Sequence, residues 1–356
     1  MTATLLPTGF RDRLPPEADA SARLVRSILD TAAGYGYERV QAPLAEYEAS
    51  LTAALGTSSR DLLRFVDPVS GATMAVRSDI TGQIGRIAHS RMGHHPRPLR
   101  LSYGGPVVKL RSSQLRPERE MMQVGAELIG LDSVAAANEI IDVAIAALMA
   151  AGVSAITIDL TMPDLVDTLA PAGDRDAIKC ALDAKDIAAV PDALAPLIAA
   201  AGPADEAIAR LKAFDAGGKL TSRIAALEAI IAALPAEVTV TLDPTERHGF
   251  EYQTWLGFSL FSATTSGEIG RGGSYRIGGE AAVGFSAFID PLIDAGLALA
   301  ERRRLFLPLG HDASIAASLR EAGWVTVAAL TPGDSAEAQI CTHILADGVA
   351  TAITKD

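Results

Sequence analysis

The sequence predicts an α+β fold in which helices and an antiparallel strand meander occupy separate stretches, followed by a small α/β tail. Three observations carry that prediction. Apolar residues recur at helical spacing at Leu24, Val25, Ile28 and Leu29, and again across 133–151. Between Arg97 and Ile129, and again beyond Pro235, short apolar runs are punctuated by Gly, Pro and Asp, the mark of strands and hairpins. The stretch 162–235 is dense in alanine and interrupted by Pro191, Pro196, Pro203 and Gly217-Gly218, which reads as an inserted bundle of short helices.

Taken in order, Pro15 and Pro16 before Glu17 open a helix that stops at Gly34. "YERVQAP" is then an extended segment ending at Pro43, and "LRFVDPVSGATMAVR" forms a hairpin around Asp-Pro and Ser-Gly. A helix from about Asp79 to Met92 places Ile80, Ile84 and Ile87 on one face. "PLRLSYGG" and "PVVKLR" read as strands, joined through the polar loop "SSQLRPE" to "REMMQVGAELI" as a hairpin with a positively charged tip. A long helix from Ser133 to Ala151 leads into the strand "SAITIDL". After the insertion come strands at "EVTVTLD" and "FEYQTWLGFSLFSA", the Gly-rich "SGEIGRGGSYRIGG", the strand "AAVGFSA" and a helix from about Phe288. Past a boundary near Arg303 the tail reads strand, helix, strand, which gives domains 1–300 and 301–356.

A chain of 356 residues with 49% hydrophobic and 21% charged residues is long enough for two cores and too apolar for disorder. The formal charge of −12 disfavours a polyphosphate surface as the main partner. Cys180 and Cys341 form no CxxC or Cys/His cluster, so neither a disulfide framework nor a metal site is expected, and a reducing cytoplasm fits. The N-terminus lacks a continuous apolar segment of signal-peptide type. The longest apolar run, Val143–Ile158, is broken by Gly152 and falls short of the roughly 20 residues that span a bilayer.

Several motifs invite chemistry. Gly267 to Gly279 matches neither GxGxxG nor GxxxxGK[ST] and reads as a tight bend where two backbones approach. His94 and His95 have no partner at ligand spacing, and His248 and His343 lie in no nucleophile or zinc arrangement. Arg111, Arg116 and Arg119 at the hairpin tip either contact phosphate or form a solvated loop balanced by Glu118 and Glu120. Gln123 and Glu127 stand four apart on a strand and so share one face, with Asp79 as a third polar residue. Buried polar groups need partners: a ligand ammonium or imidazole supplies them, or an internal salt bridge does.

Together "PTGFRDRLPPEA", "GYGYERVQAPLAEY", "VRSDITGQIGRIA", "REMMQVGAELIG" and "GGSYRIGGEAAVGF" resemble the catalytic domain of histidyl-tRNA synthetase, a class II aminoacyl-tRNA synthetase, from Leu6 to about Leu299. The resemblance implies an antiparallel sheet of six to seven strands flanked by helices, dimerised through the segment around Pro43. It implies that Asp79 and Thr81 bind a histidine ammonium, that Gln123 lies near the amino-acid backbone, that Glu127 faces the imidazole, and that Tyr252 lines the pocket. The departures fall on ATP chemistry. Lys109 stands at an arginine of the family, Arg111 at a glutamate, and Pro291 at a second arginine. "HGFEYQ" stands at "RGLDYY", so His248 replaces the arginine that polarises the carboxylate, Gln253 replaces a tyrosine, and Arg247 is one residue off.

The tail is shorter than the synthetase's anticodon-binding domain. From Glu301 it holds 5 Lys plus Arg against 7 Asp plus Glu, a net −2 that suits tRNA poorly. This combination is similar to the regulatory subunits of short-form ATP phosphoribosyltransferase. What that likeness implies is a non-catalytic chain without cofactor, partnered with the short catalytic subunit and carrying feedback inhibition by L-histidine in the first step of histidine biosynthesis. The alternative is a divergent enzyme that activates an amino acid with ATP, using Arg116 or Arg119 for the phosphates. A third reading is an RNA-binding or signalling paralogue.

Overall fold

Helix α1 (Glu17–Gly34) carries Glu17 and Asp19 in its first turn, where they complement the helix dipole, and buries Ala20, Leu24, Ile28 and Ala32 along one stripe. The computed structural model describes residues 5–55, 61–110, 118–247, 252–300 and 302–353. Strands β1 (Glu38–Arg39) and β2 (Ala45–Tyr47), helix α2 (Glu48–Leu55), strands β3 (Leu63–Val66) and β4 (Thr73–Val76), and helix α3 (Thr81–Ser90) follow. Then come strands β5 (Leu99–Val108) and β6 (Glu120–Ile129), helix α4 (Val134–Ala150) and strand β7 (Ile156–Thr161).

The inserted region holds α5 (Leu165–Leu169), α6 (Arg175–Asp183), a 3-10 turn at Ala195–Ala200, β8 (Gly202–Pro203), α7 (Ala204–Phe214) and α8 (Thr221–Ala233). Strands β9 (Thr239–Leu242), β10 (Gln253–Ser262), β11 (Glu268–Ile277) and β12 (Glu280–Phe288) and helix α9 (Asp290–Asp294) complete the first of two compact units, Met1–Ala298.

Nine strands form the main sheet in the order β1-β5-β6-β12-β11-β10-β7-β9-β8. Every pairing from β5 to β7 is antiparallel, whereas β1 runs parallel to β5 and β9 parallel to β7. The sheet exceeds the expected six to seven strands because of β1 and β8, which are two residues long and too short to leave a periodic pattern. Alternation sorts the two faces. Val124, Ala126 and Leu128 of β6 join α1 and α4 in the larger core. Met121 and Ile129 join Tyr103, Tyr275, Ile80 just before α3, and the α3 residues Ile84 and Ala88 on the other face.

Three expectations are corrected. "PLRLSYGG" and the start of "PVVKLR" form one strand through Pro106, which ends at Val108. β1 pairs only with Leu101 and Ser102, so the missing N–H of Pro106 costs no bond to that neighbour. The Gly-rich stretch is mostly strand β11, and the bends lie at its two ends, at Gly267 and at Gly278 and Gly279, all at positive φ. The helix expected from Phe288 is the five-residue α9, because β12 runs on to that phenylalanine.

The second unit, Leu299–Asp356, contains β13 (Arg304–Leu307), α10 (Ala313–Glu321), β14 (Val325–Ala328), β15 (His343–Ala346) and β16 (Val349–Ala352). Its sheet runs β14-β13-β15-β16, with β13 parallel to both neighbours and a terminal antiparallel hairpin beyond the strand–helix–strand expected from sequence. Asp312 caps α10 by accepting from Ser314 N at 2.7 Å, and Leu305, Leu307, Ala316 and Leu345 form the core.

Candidate functional site

On the face that carries α3, the register aligns Glu127 with Gly284, Gly284 with Gly273, Gly273 with Gly257, and Gly257 with Thr161. Three successive strands thus contribute backbone with no side chain, a glycine floor bounded by Glu127 and overlain by the Glu127 and Gln253 side chains. The glycines are required by what lies above them. A Cβ on Gly284 would fall inside the Glu127 carboxyl group, and one on Gly273, at φ +150°, would meet both Leu256 O and the Gln253 amide.

Gln123 and Glu127 are 0% and 1% exposed, and both are fully engaged. Gln123 Oε1 accepts from Ile80 N at 3.0 Å, while its Nε2 donates to Asp79 Oδ2 at 3.0 Å and Ser286 Oγ at 2.7 Å. Asp79 Oδ1 accepts from Thr81 N at 2.7 Å. Tyr103 and Tyr275 hydroxyls donate to the two Glu127 oxygens at 3.0 and 2.7 Å, and Tyr103 Oη also meets Ser286 Oγ at 2.8 Å and Thr81 Oγ1 at 3.2 Å. Burial pushes the Glu127 carboxyl up to about 8, against the opposing pull of its tyrosine hydrogen bonds and with a further push from Asp79. Both tyrosine hydroxyls are raised well above their usual range by the same desolvation and by the neighbouring carboxyl.

The loop bearing Asp79 is held from behind by Arg77. Its Nε donates to Pro106 O at 2.8 Å and its Nη1 to Ala42 O at 3.0 Å, and the absence of a side chain on Gly105 leaves it room. Pro43 is exposed; its carbonyl accepts from Gln83 Nε2 at 2.8 Å, which ties that segment to α3.

A cavity of about 30 Å³ opens above the glycine floor, lined by Asp79, Thr81, Glu127, Tyr252, Gln253 and Arg271 among others. In this closed form the cavity has room for water, and a bound amino acid requires it to widen. Tyr252 sets its ring edge-on to Tyr275 with centroids 5.9 Å apart. Gln253 donates from Nε2 to Gly272 O at 2.8 Å, which leaves its buried Oε1 without a hydrogen-bond partner. Asp79, Thr81, Gln123, Glu127 and Tyr252 therefore come together.

Of the positions singled out for ATP, the two that are described, Lys109 and Pro291, do not line this cavity. Lys109 donates its backbone N–H to Arg119 O at 2.7 Å and holds Nζ 5.8 Å from the centre of the Phe288 ring, at the rim. Pro291 sits in the first turn of α9 beside Asp290, which accepts from Met122 N at 3.0 Å and pairs with Arg13 at 2.5 Å. Arg111, Arg116 and His248 lie outside the described residues. Among the described residues no group of three or more His, Cys, Asp or Glu side chains is placed to hold a metal ion. No helix among them is long and apolar enough to cross a membrane.

The histidyl-tRNA synthetase family model matches residues 9–292. The ATP phosphoribosyltransferase regulatory subunit of Rhodospirillum centenum is 43% identical, over 97% of this chain and 95% of its own length. The chain belongs to the ATP phosphoribosyltransferase regulatory subunit family. Among solved structures, an ATP phosphoribosyltransferase regulatory subunit/histidyl-tRNA synthetase from Bacillus halodurans C superposes with a TM-score of 0.82 at 22% identity, over 96% of this chain and 97% of that one. A chain of the ATP phosphoribosyl transferase (HisG:HisZ) complex from Thermotoga maritima superposes with a TM-score of 0.60 at 19% identity, over 76% and 97% respectively. At these identities both show a shared fold.

For a regulatory-subunit family member on a synthetase-like frame, sequence reasoning found one wall of the cavity and missed the rest. Tyr103, Tyr275, Ser286 and Arg271 sit on strands whose alternation gave no hint of a polar face. Gly257, Gly273 and Gly284 are aligned only once three strands are in register.

Proposed function

We propose that this chain is a non-catalytic subunit that binds L-histidine in the cavity between Asp79 and Glu127 and transmits that occupancy to a short-form ATP phosphoribosyltransferase catalytic subunit. It would thereby place the first step of histidine biosynthesis under feedback control in the cytoplasm. One observation carries the reading: a buried polar frame suited to an ammonium and an imidazole is present, without forked cations for ATP at Lys109 and Pro291. Adenylate formation needs planar, bidentate cations around the phosphates; lysine gives a point charge and proline gives none. Membership of the regulatory-subunit family supports the catalytic partner, as does the fold shared with a chain of the Thermotoga complex.

A sensor regulates only if its ligand binds two states of the assembly unequally, and couplings of about 1–3 kcal/mol are typical. The test is turnover by the catalytic subunit with and without this chain and with and without histidine. The expected outcome is activation by the chain and inhibition by histidine, with inhibition blunted by Asp79→Ala or Glu127→Ala while activation persists. Histidine-dependent exchange of pyrophosphate into ATP by the purified chain would overturn the non-catalytic reading. The same frame supports a homodimer through the segment around Pro43, and the tail's net charge of −2 supports a role without tRNA.

A further inference from the structure

Asp79 and Glu127 give the cavity two carboxyl groups, and Arg271 is the one cation among its described lining residues. Its position on the sheet is informative. Arg271 pairs directly with Ser286 across the β11–β12 ladder, and Ser286 pairs with Gly125 of β6. Ser286 Oγ lies 2.7 Å from Gln123 Nε2, which is itself 3.0 Å from Asp79. Neighbouring strands are about 4.8 Å apart, so Arg271 begins one strand away from the hydroxyl that closes the Asp79 corner. Glu127 belongs to the adjacent row, over the glycine floor.

The guanidinium is held in place rather than left to search. Its Nε donates to Glu268 Oε1 at 2.8 Å and its Nη2 to Oε2 at 2.5 Å, and Ser259 Oγ donates to the same Oε1 at 3.0 Å. Glu268 is nearly buried, with 8% of its side chain exposed, whereas Arg271 keeps 26%. The other cations near the site are committed elsewhere. Arg77 is buried against the carbonyls of Ala42 and Pro106, and Lys109 lies over Phe288 at the rim.

A ligand bearing an ammonium and a carboxylate on one carbon would set the first against Asp79 and need a cation close by for the second. We infer that Arg271 binds the α-carboxylate of the amino acid in this cavity, and so makes the site selective for amino acids over the corresponding amines and alcohols. The inference rests on the amino-acid reading of the cavity. It adds a third contact to the Asp79 and Glu127 ends and fixes the orientation of the bound molecule.

The experiment is isothermal titration of the full-length chain with histidine, histamine and histidinol, for the wild type, Arg271→Met, Arg271→Lys and the double variant Glu268→Gln/Arg271→Met. Removing the arginine alone strands a buried carboxylate, so the double variant provides a charge-balanced background, with melting temperatures checking the fold. The wild type is expected to bind histidine at least about tenfold more tightly than histamine or histidinol, as befits a charge-assisted contact. The Met variants should lose that preference by weakening histidine while leaving histamine within about twofold, and Arg271→Lys should restore part of it. If histidine binds the wild type and the double variant keeps the full preference, or loses all three ligands equally, the Arg271 assignment is wrong while the cavity reading stands. If the wild type binds none of the three, the cavity reading itself fails and Arg271 with it.

Discussion

Glu127 shows most plainly how one residue couples burial to chemistry. In the unfolded chain its carboxyl titrates in the ordinary range, and in the folded protein burial pushes it up to about 8. The folded state therefore holds a proton that the unfolded state releases between these values. The contribution of Glu127 to stability is fully present below the unfolded value and is lost as pH rises through the folded one, at up to about 1.4 kcal/mol per pH unit. Wild type compared with Glu127→Gln by denaturant unfolding from pH 5 to 9 should show this: the wild type falls with pH relative to the variant, and the difference flattens above about 8. If the two curves stay parallel, the carboxyl is already ionised in the folded protein. The residue was half legible in sequence. Period-two spacing put it beside Gln123 on one face, but Tyr103 and Tyr275, which hold it, are ordinary aromatic strand residues until the register brings them within hydrogen-bonding reach.

Among elements, helices α1, α3 and α4 were readable because 3.6-residue periodicity is a local signal, to which α4 adds its Ser133 cap, and β6 because its polar pair interrupts an apolar run. Strand β11 misled because glycine is a turn residue in the abstract and a clearance device here, where each missing side chain answers to an atom on another strand. That difference is testable. Gly284→Ala should overpack the Glu127 carboxyl and cost about 1–3 kcal/mol in denaturant unfolding, with loss of histidine binding. Gly279→Ala in the neighbouring turn has open space around it and only its φ of +86° to satisfy, so it should destabilise without altering ligand affinity. Equal effects of both substitutions on binding would remove the distinction between floor and turn.

At the scale of the molecule, composition argued against a disordered chain and no apolar run is long enough for a membrane-spanning helix, but neither could indicate which surface faces a partner. The small sheet β2-β4-β3 leaves Tyr47 and Phe65, which the register puts on one face through Met74, at 54% and 43% exposure, close in sequence to exposed Leu44. An apolar face of this kind is what a second copy would cover. If the chain forms the proposed homodimer through this face, Phe65→Glu should shift it to monomer in sedimentation velocity while its circular dichroism is unchanged; a wild type that already sediments as monomer, or a variant that sediments as the wild type does, would overturn that placement. The glycine floor carries a further consequence, about how such a protein can change. The side chains of Glu127 and Gln253 occupy the space that a Cβ on Gly284, Gly273 or Gly257 would take, so this row tolerates no larger residue. Innovation in the effector is thereby confined to the rim, at Asp79, Tyr252, Gln253 and Arg271, while the stripe beneath can only be kept or lost.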